Sequence, residues 1–204
     1  MSRKLIFYAG FFVVLVLIFF LGLKRMVPGF TESRFPPIGV VNDFAFIDQD
    51  GKKVTNRDVE GKVFVAEYFF TTCKGICPRM NNNMRRVYEN YKNTDGFLIL
   101  SHTCDPETDS VSRLRKYADS MQVNTDKWIF LTGRKDSLYN MARFSYRIDD
   151  PKNNVQRIED DFLHTQFWAL VDRKGNIRKI YDGLKQNEIS QLIRDIGKML
   201  DEKN

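Results

Sequence analysis

Apolar residues form two kinds of pattern along the chain. One continuous run, residues 5–23, contains 17 hydrophobic residues and two glycines. As a helix this run spans roughly 28 Å, enough to cross a bilayer. Beyond residue 42 the apolar runs are shorter and change between strand length and helical spacing. We therefore predict a membrane anchor at residues 1–25, a linker containing Pro and Gly at 26–42, and a globular domain at 43–204.

The globular part is predicted to consist of strands alternating with helices. The expected strands are 44–47, 53–55, 63–70, 97–101, 128–131, 167–171 and 177–181, and the expected helices are 78–92, 109–121, 137–144 and 187–200. The first two strands form a hairpin, and the run at 63–70 is apolar enough for a buried central strand. This alternation predicts an α/β fold, with a central mixed sheet flanked by helices and an N-terminal hairpin. The polar stretch 146–162 is expected to be a long loop.

The net charge of +6 belongs mostly to the flanks of the apolar run. Arg3, Lys4, Lys24 and Arg25 bracket that run, and residues 1–25 contain no Asp or Glu. Removing these four from the 32 basic residues leaves 28 against 26 acidic residues, a balance of +2. The charge therefore gives no support for nucleic-acid binding. Because the two flanks are nearly balanced, the positive-inside rule only leans towards a cytoplasmic N-terminus and a periplasmic or other extracytoplasmic domain.

We interpret the apolar run as an uncleaved, single-pass anchor. A cleaved signal peptide has an apolar core of roughly 7–15 residues followed by small residues. This run is longer and ends in Leu-Lys-Arg-Met-Val-Pro. A lipoprotein leader needs a cysteine, and the first cysteine of the chain is Cys73.

Two of the three cysteines, Cys73 and Cys77, follow the central strand and precede Pro78. A strand-to-helix junction places both near a helix N-terminus, where the dipole and free amides favour thiolates, so we expect both sulfurs to be acidic. Their loop can hold a metal ion between two sulfurs or, with adjustment, close a disulfide. The simpler alternative is a structural disulfide or two buried apolar side chains. Cys104 ends a neighbouring strand, either as a semi-buried spectator or as a thiol that interferes in redox chemistry or metal exchange.

The chain has two histidines. His102 lies at a strand end, and we interpret it as a packed or solvent-facing side chain. His164 follows the long polar loop and precedes a strand by three residues. The residue pattern alone leaves His164 open as a loop histidine or as a metal ligand.

At these residues the chain resembles the Sco/SenC family of copper-binding, thioredoxin-fold proteins that serve cytochrome c oxidase assembly. The motifs that carry the resemblance over residues 40–200 are Phe70-Thr-Thr-Cys73-Lys-Gly-Ile-Cys77-Pro78, Asp105-Pro-Glu-Thr-Asp109, Trp128-Ile-Phe-Leu-Thr-Gly133, His164 and Asp172-Arg-Lys-Gly175. Their order and spacing together are specific, and the family's N-terminal anchor is matched too. Two positions depart from the family pattern. Cys104 stands where an apolar residue is usual, and Leu163 stands where an acidic residue often precedes the histidine.

The resemblance implies that Cys73, Cys77 and His164 bind one copper ion, as Cu(I), Cu(II) or both. Thiolates suit Cu(I), and an added imidazole lets the same site accept Cu(II), whereas zinc would usually require a fourth ligand. The second nitrogen of a ligating imidazole is normally hydrogen-bonded. Asp160 or Asp161 is our candidate for that partner.

The function that the resemblance implies is that of a membrane-anchored copper chaperone that helps assemble the binuclear copper site of cytochrome c oxidase. Its expected partner is the copper-bearing subunit of the oxidase, with other copper chaperones or thiol reductases as further partners. The alternative is a thiol-disulfide oxidoreductase in which Cys73 and Cys77 keep the partner's copper-ligating cysteines reduced. That reaction would not need His164. A peroxiredoxin-like peroxidase fits the fold but lacks clear support for a single peroxidatic cysteine.

Overall fold

The computed structural model of the chain describes residues 3–26, 36–153 and 161–202, and the chain divides into two compact units at Pro36. The first unit contains helix α1, Arg3–Met26. Its segment Arg3–Leu23 is 21 residues long and includes a stretch of 18 residues with a mean hydropathy of 2.8, so it is long and apolar enough to cross a membrane.

The second unit contains one sheet and the helices that cover it. In chain order the elements are β1 (Gly39–Val40), β2 (Ala45–Asp48), β3 (Lys53–Thr55), α2 (Asn56–Val59), β4 (Val63–Phe69), α3 (Cys77–Tyr91), β5 (Phe97–Thr103), α4 (Val111–Met121), β6 (Trp128–Thr132), α5 (Lys135–Asn140), a π-helical turn (Met141–Ser145), a 3-10 turn (Pro151–Asn153), β7 (Phe167–Val171), β8 (Asn176–Asp182) and α6 (Gln186–Asp201).

The sheet has eight strands in the order β1-β8-β7-β4-β5-β6-β2-β3. Strands β4, β5 and β6 are parallel, and every other neighbouring pair is antiparallel. The predicted α/β class, the mixed sheet and the N-terminal hairpin formed by β2 and β3 are therefore confirmed. Strand β1 pairs with β8 at residues that the sequence assigned to the linker. Two residues are too few to show a strand period in the sequence.

Strand β4 is central because its side chains are buried on both faces of the sheet. Phe64, Ala66 and Tyr68 belong to an apolar cluster with residues of α5 and the π-helical turn. On the opposite face, the Phe69 ring stacks on Tyr117 of α4 with 5.2 Å between centroids. Because β4 and β5 run parallel and in register, their carboxyl ends meet at one edge of the sheet, where the cysteine loop begins.

Candidate metal centre

Cys73 and Cys77 lie where the chain passes from β4 into α3. The Cys73 amide donates to the Phe70 carbonyl (3.2 Å), and α3 begins at Cys77 with Pro78 in its first turn. Proline is favoured there because its missing N–H would have no helical partner. Cys73 is half-buried and Cys77 is buried, and both are free thiols. The predicted strand-to-helix junction is confirmed.

The two thiols differ in acidity because they share a hydrogen bond in unequal surroundings. Burial acts to raise the pKa of Cys73, but hydrogen bonds from the Cys77 thiol and from the backbone amides of Cys77, Gly75 and Ile76 outweigh it, so the pKa is lowered. Burial raises the pKa of Cys77, and its bond to Cys73 raises it further, while the Phe70 backbone acts the other way. The expectation that both sulfurs are acidic was therefore wrong for Cys77. The loop amides converge on Cys73, and desolvation dominates at Cys77.

Asp109 holds the start of the cysteine loop to the end of β5. Its fully buried carboxylate accepts hydrogen bonds from the Thr71 amide (3.1 Å), the Thr71 hydroxyl and the Thr103 hydroxyl (2.6 Å). Helix α4 begins at Val111, directly after Ser110. Ser110 is the N-cap residue but makes no capping hydrogen bond through its side chain, and Asp109 binds the two threonines. Asp109 is thus a structural support of the cysteine loop that the sequence did not identify as such.

The His164 imidazole is exposed and lies beside the aromatic residue that starts the cysteine loop. Its ring centroid is 6.0 Å from that of Phe70 and 4.6 Å from that of Phe162. Nδ1 of His164 lies 3.1 Å from the Phe162 carbonyl oxygen. A carbonyl only accepts, so we assign the proton to Nδ1, which leaves the Nε2 lone pair available to a metal ion.

Asp161, one of the two expected carboxylate partners of His164, binds a different side chain. Asp161 is buried and binds Arg143, with Nη1 to Oδ2 at 2.5 Å and Nη2 to Oδ1 at 3.0 Å. The Phe162 carbonyl takes the role that we expected of Asp161, because the two-residue separation brings this carbonyl back to the imidazole. Asp160, the other candidate, lies outside the described residues.

Cys73 and Cys77 are brought together, whereas His164 remains apart from them. Within residues 3–26, 36–153 and 161–202, no three Cys, His, Asp or Glu side chains are close enough to hold a metal ion. Phe70 connects the two parts, because its carbonyl accepts from the Cys73 amide and its ring contacts His164. A three-donor site therefore requires a shift of the cysteine loop or of the segment that carries His164.

Cys104 and His102 are both buried in the core. Cys104 is 3% exposed, and its amide donates to the Phe69 carbonyl (2.8 Å). Burial raises the pKa of Cys104, and the nearby charges of Cys77, Asp109 and Cys73 raise it further. Cys104 therefore stays protonated next to the pair, as a spectator thiol would. His102 is the packed side chain that the sequence allowed, with its ring stacked on Tyr68 at 5.1 Å between centroids.

Glu67 is a buried carboxyl that the sequence analysis did not single out. It accepts a hydrogen bond from the Ser101 hydroxyl (2.6 Å), and its other oxygen, Oε2, has no hydrogen-bond partner in the described structure. Burial raises the pKa of Glu67 to about 7, against the lowering effect of the Ser101 bond. The signal in the sequence was an acidic residue within an otherwise apolar strand, since such a side chain is rarely buried without a partner.

The sequence profile of the SCO1/SenC family matches residues 35–201. A SCO1 protein homolog of Bacillus subtilis (strain 168) is 32% identical over 161 residues, or 76% of this chain and 80% of the relative. Protein sco1 of Schizosaccharomyces pombe is 28% identical over 159 residues, or 76% of this chain and 58% of that protein.

Solved structures agree with this relationship. BsSco, a member of the Sco family of cytochrome c oxidase assembly proteins in which a disulfide switch has been identified, is 30% identical to this chain. Its TM-score is 0.68, with 82% of this chain and 98% of that chain covered. Copper-bound ScoI of Arabidopsis thaliana is 24% identical with a TM-score of 0.63 over 79% of this chain and 98% of its own, a likeness of fold. The predicted thioredoxin-like fold is thus confirmed, and the chain belongs to the SCO1/SenC family.

Proposed function

We propose that the protein is a membrane-anchored copper chaperone that binds one copper ion through Cys73, Cys77 and His164. It helps assemble the binuclear copper site of cytochrome c oxidase. The observation that carries the proposal is the pair of hydrogen-bonded thiols at the start of α3, with an exposed imidazole against the Phe70 ring that begins their loop. The relatives agree, since BsSco is a cytochrome c oxidase assembly protein and the Arabidopsis ScoI structure holds copper.

The donor atoms fit copper as the transported ion. Thiolates are soft ligands that select Cu(I), and an imidazole extends the preference to Cu(II). Nε2 of His164 is the available nitrogen because Nδ1 faces the Phe162 carbonyl. His164 also lines a cavity of about 540 Å³, so the imidazole can be reached from solvent. Because the three donors do not converge in the structure described above, the proposal requires that copper loading draws His164 and the thiols together.

A second function, thiol-disulfide exchange, is favoured by the unequal acidities of the two cysteines. The Cys73 thiol, with its lowered pKa, would attack a partner disulfide and form a mixed disulfide. Cys77 would then lose its proton and displace the partner sulfur. The partner leaves with two thiols, and the two electrons it gains come from the Cys73 and Cys77 thiols, which are oxidised to a disulfide. The same two residues serve both functions, and only the copper site needs His164.

We infer that α1 anchors the protein in a membrane as a single span, with the second unit in the periplasm or another extracytoplasmic space. Support comes from the 21-residue apolar segment and from the basic residues Arg3 and Lys4 that precede its apolar core. This placement keeps the domain beside a membrane-embedded oxidase, whose copper-bearing subunit is the proposed partner. Other copper chaperones or thiol reductases would supply copper or electrons.

The test is an anaerobic titration of the full chain in detergent with Cu(I) and separately with Cu(II). We expect one copper per wild-type chain in each case. His164→Ala should weaken the binding of Cu(II) far more than that of Cu(I). The double substitution Cys73→Ser/Cys77→Ser should abolish the binding of both ions. Cys104→Ala is the matched control, since it removes a buried thiol outside the pair and should retain one copper per chain.

Two results would oppose the proposal in different ways. If the wild-type chain binds no copper at the two cysteines, the chaperone function is wrong. If copper binds but His164→Ala changes neither affinity nor spectrum, the ligand assignment is wrong and thiol-disulfide exchange becomes the better account.

A further inference from the structure

The segment Asp161–Thr165, which carries His164, is held in place by alternate residues. Asp161, Leu163 and Thr165 are buried, whereas Phe162 and His164 are exposed. Leu163 belongs to the apolar core cluster, and the Thr165 hydroxyl donates to the Ile148 carbonyl. Because successive side chains of an extended chain point to opposite sides, the buried residues determine where the exposed ones lie. The position of the imidazole is therefore set by anchors that are not themselves at the candidate site.

Arg143 binds the first of these anchors. It lies in the π-helical turn Met141–Ser145 and is 2% exposed. Its guanidinium donates two hydrogen bonds to Asp161, at 2.5 and 3.0 Å, and a third from Nε to Asp149 at 2.7 Å. The two carboxylates are only 5% and 6% exposed. The cation thus joins Asp161, in the segment before His164, to Asp149, which follows the π-helical turn.

The charges determine how Asp161 responds to the loss of Arg143. Two buried carboxylates repel each other and are poorly solvated, so both depend on the guanidinium between them. If the cation is removed, the carboxylate of Asp161 is stabilised by moving out to water, and the chain attached to it must move as well. Leu163 and Thr165 lie two and four residues further along, so displacement of Asp161 shifts the part of the segment that presents His164. A rigid bidentate pair suits this role better than a lysine, which offers one rotatable point charge.

We infer that Arg143 is a positioning residue for His164, which keeps the imidazole beside the Phe70 ring at the start of the cysteine loop by fixing Asp161. The expected effect on copper binding rests on the proposed function, whereas the positioning of His164 by Arg143 and Asp161 does not. Loss of Arg143 should weaken the binding of Cu(II) by about 10- to 100-fold, the usual effect of removing a residue that supports a metal-binding imidazole. Cu(I), which two thiolates can hold, should be affected much less.

The test compares Arg143→Met, Arg143→Lys and Asp161→Asn in the full chain in detergent. Arg178→Met is the matched control, because Arg178 forms a comparable pair with Asp172 (3.1 Å; side chains 10% and 11% exposed) at the opposite end of the sheet from the cysteines. Two readouts are used: the imidazole nitrogen coupling in the electron paramagnetic resonance spectrum of the Cu(II) protein, and hydrogen exchange of amides 162–165 in the metal-free protein. Tryptophan fluorescence and circular dichroism confirm that each variant is folded.

We expect Arg143→Met and Asp161→Asn to speed exchange at amides 162–165 and to weaken or remove the nitrogen coupling. Arg143→Lys should recover part of both signals, and Arg178→Met should keep both at wild-type level. Folded Arg143→Met and Asp161→Asn proteins with wild-type exchange and coupling would overturn the inference. If Arg143→Met fails to fold, Asp161→Asn decides alone, since it keeps the shape of the side chain. If amides 162–165 exchange faster in the variants but the wild-type Cu(II) protein shows no imidazole coupling, the positioning role is supported and His164 is rejected as a copper ligand, so the two failures are distinguishable.

Discussion

His102 makes the stability of the globular unit depend on pH in a way that can be calculated from the structure. Its side chain is fully buried, stacked on Tyr68 and edge-on to Phe46. Nε2 lies 3.2 Å from the Tyr146 hydroxyl, and Nδ1 has no partner among the described residues. Burial lowers the pKa of His102 from 6.5 to about 3. The histidine is therefore neutral when folded and takes up a proton on unfolding in mild acid.

The sign and size of the effect follow from this shift. The pKa of His102 is lower in the folded state than in the unfolded state, so protonation favours unfolding. The contribution of His102 to the free energy of unfolding is therefore complete above pH 6.5 and is lost as the pH falls towards 3. Between about pH 8 and about pH 4, one such group lowers the free energy of unfolding by about 3 kcal/mol, at about 1.4 kcal/mol per pH unit below the unfolded pKa.

The assay is urea unfolding from about pH 8 to about pH 4, followed by the fluorescence of Trp128 and Trp168. Both tryptophans are buried in the globular unit, and the chain has no others. His102→Gln removes the ionisation and keeps a nitrogen facing the Tyr146 hydroxyl. As the pH falls from about 8 to about 4, we expect the free energy of unfolding of this variant to rise by about 3 kcal/mol relative to that of the wild type. His164→Gln, which changes an exposed histidine, is the control. A constant difference between His102→Gln and wild type at every pH would refute the reasoning.

Two further changes should alter stability in defined ways. Because the pKa of Glu67 is raised in the folded state, its contribution to the free energy of unfolding is complete below pH 4.5 and is lost above pH 7. Glu67→Gln should therefore be increasingly more stable than the wild type as the pH rises through this range, by up to about 3 kcal/mol, as measured by urea unfolding at each pH. Gly183→Ala should cost about 1–3 kcal/mol in the same assay, because the new Cβ would lie 2.4 Å from the buried Trp168 ring. Gly75→Ala, whose Cβ would meet only the Cys73 sulfur at 4.0 Å, should change the free energy of unfolding much less.

The sequence predicts the fold well wherever local pattern and tertiary burial agree. Strand β4 was predicted because residues 63–70 form an apolar run of strand length, and every side chain of the observed Val63–Phe69 strand is buried. Helix α6 was predicted at 187–200 and observed at Gln186–Asp201, because its apolar face repeats at helical spacing. Strand β1 was not predicted, since its two residues join the sheet only through β8.

The candidate site was predictable in its local parts and not in its long-range pairings. The strand-to-helix junction fixed the neighbourhood of Cys73 and Cys77 from the sequence alone. The pairing of Asp161 with Arg143 spans 18 residues and depends on a π-helical turn, so proximity in sequence pointed to the wrong partner, His164. The unequal acidities of the two thiols depend on which sulfur the loop amides face, and no spacing rule contains that information.

X-ray absorption of the copper-loaded, full-length protein tests the central claim most directly, because it counts the atoms that coordinate the metal. We predict that the Cu(II) form shows two sulfurs and one imidazole nitrogen from the protein. In His164→Ala the imidazole contribution should disappear while both sulfurs remain. A copper environment without an imidazole in the wild-type Cu(II) protein, or an imidazole that persists in His164→Ala, would contradict the assignment of Cys73, Cys77 and His164 as the copper ligands.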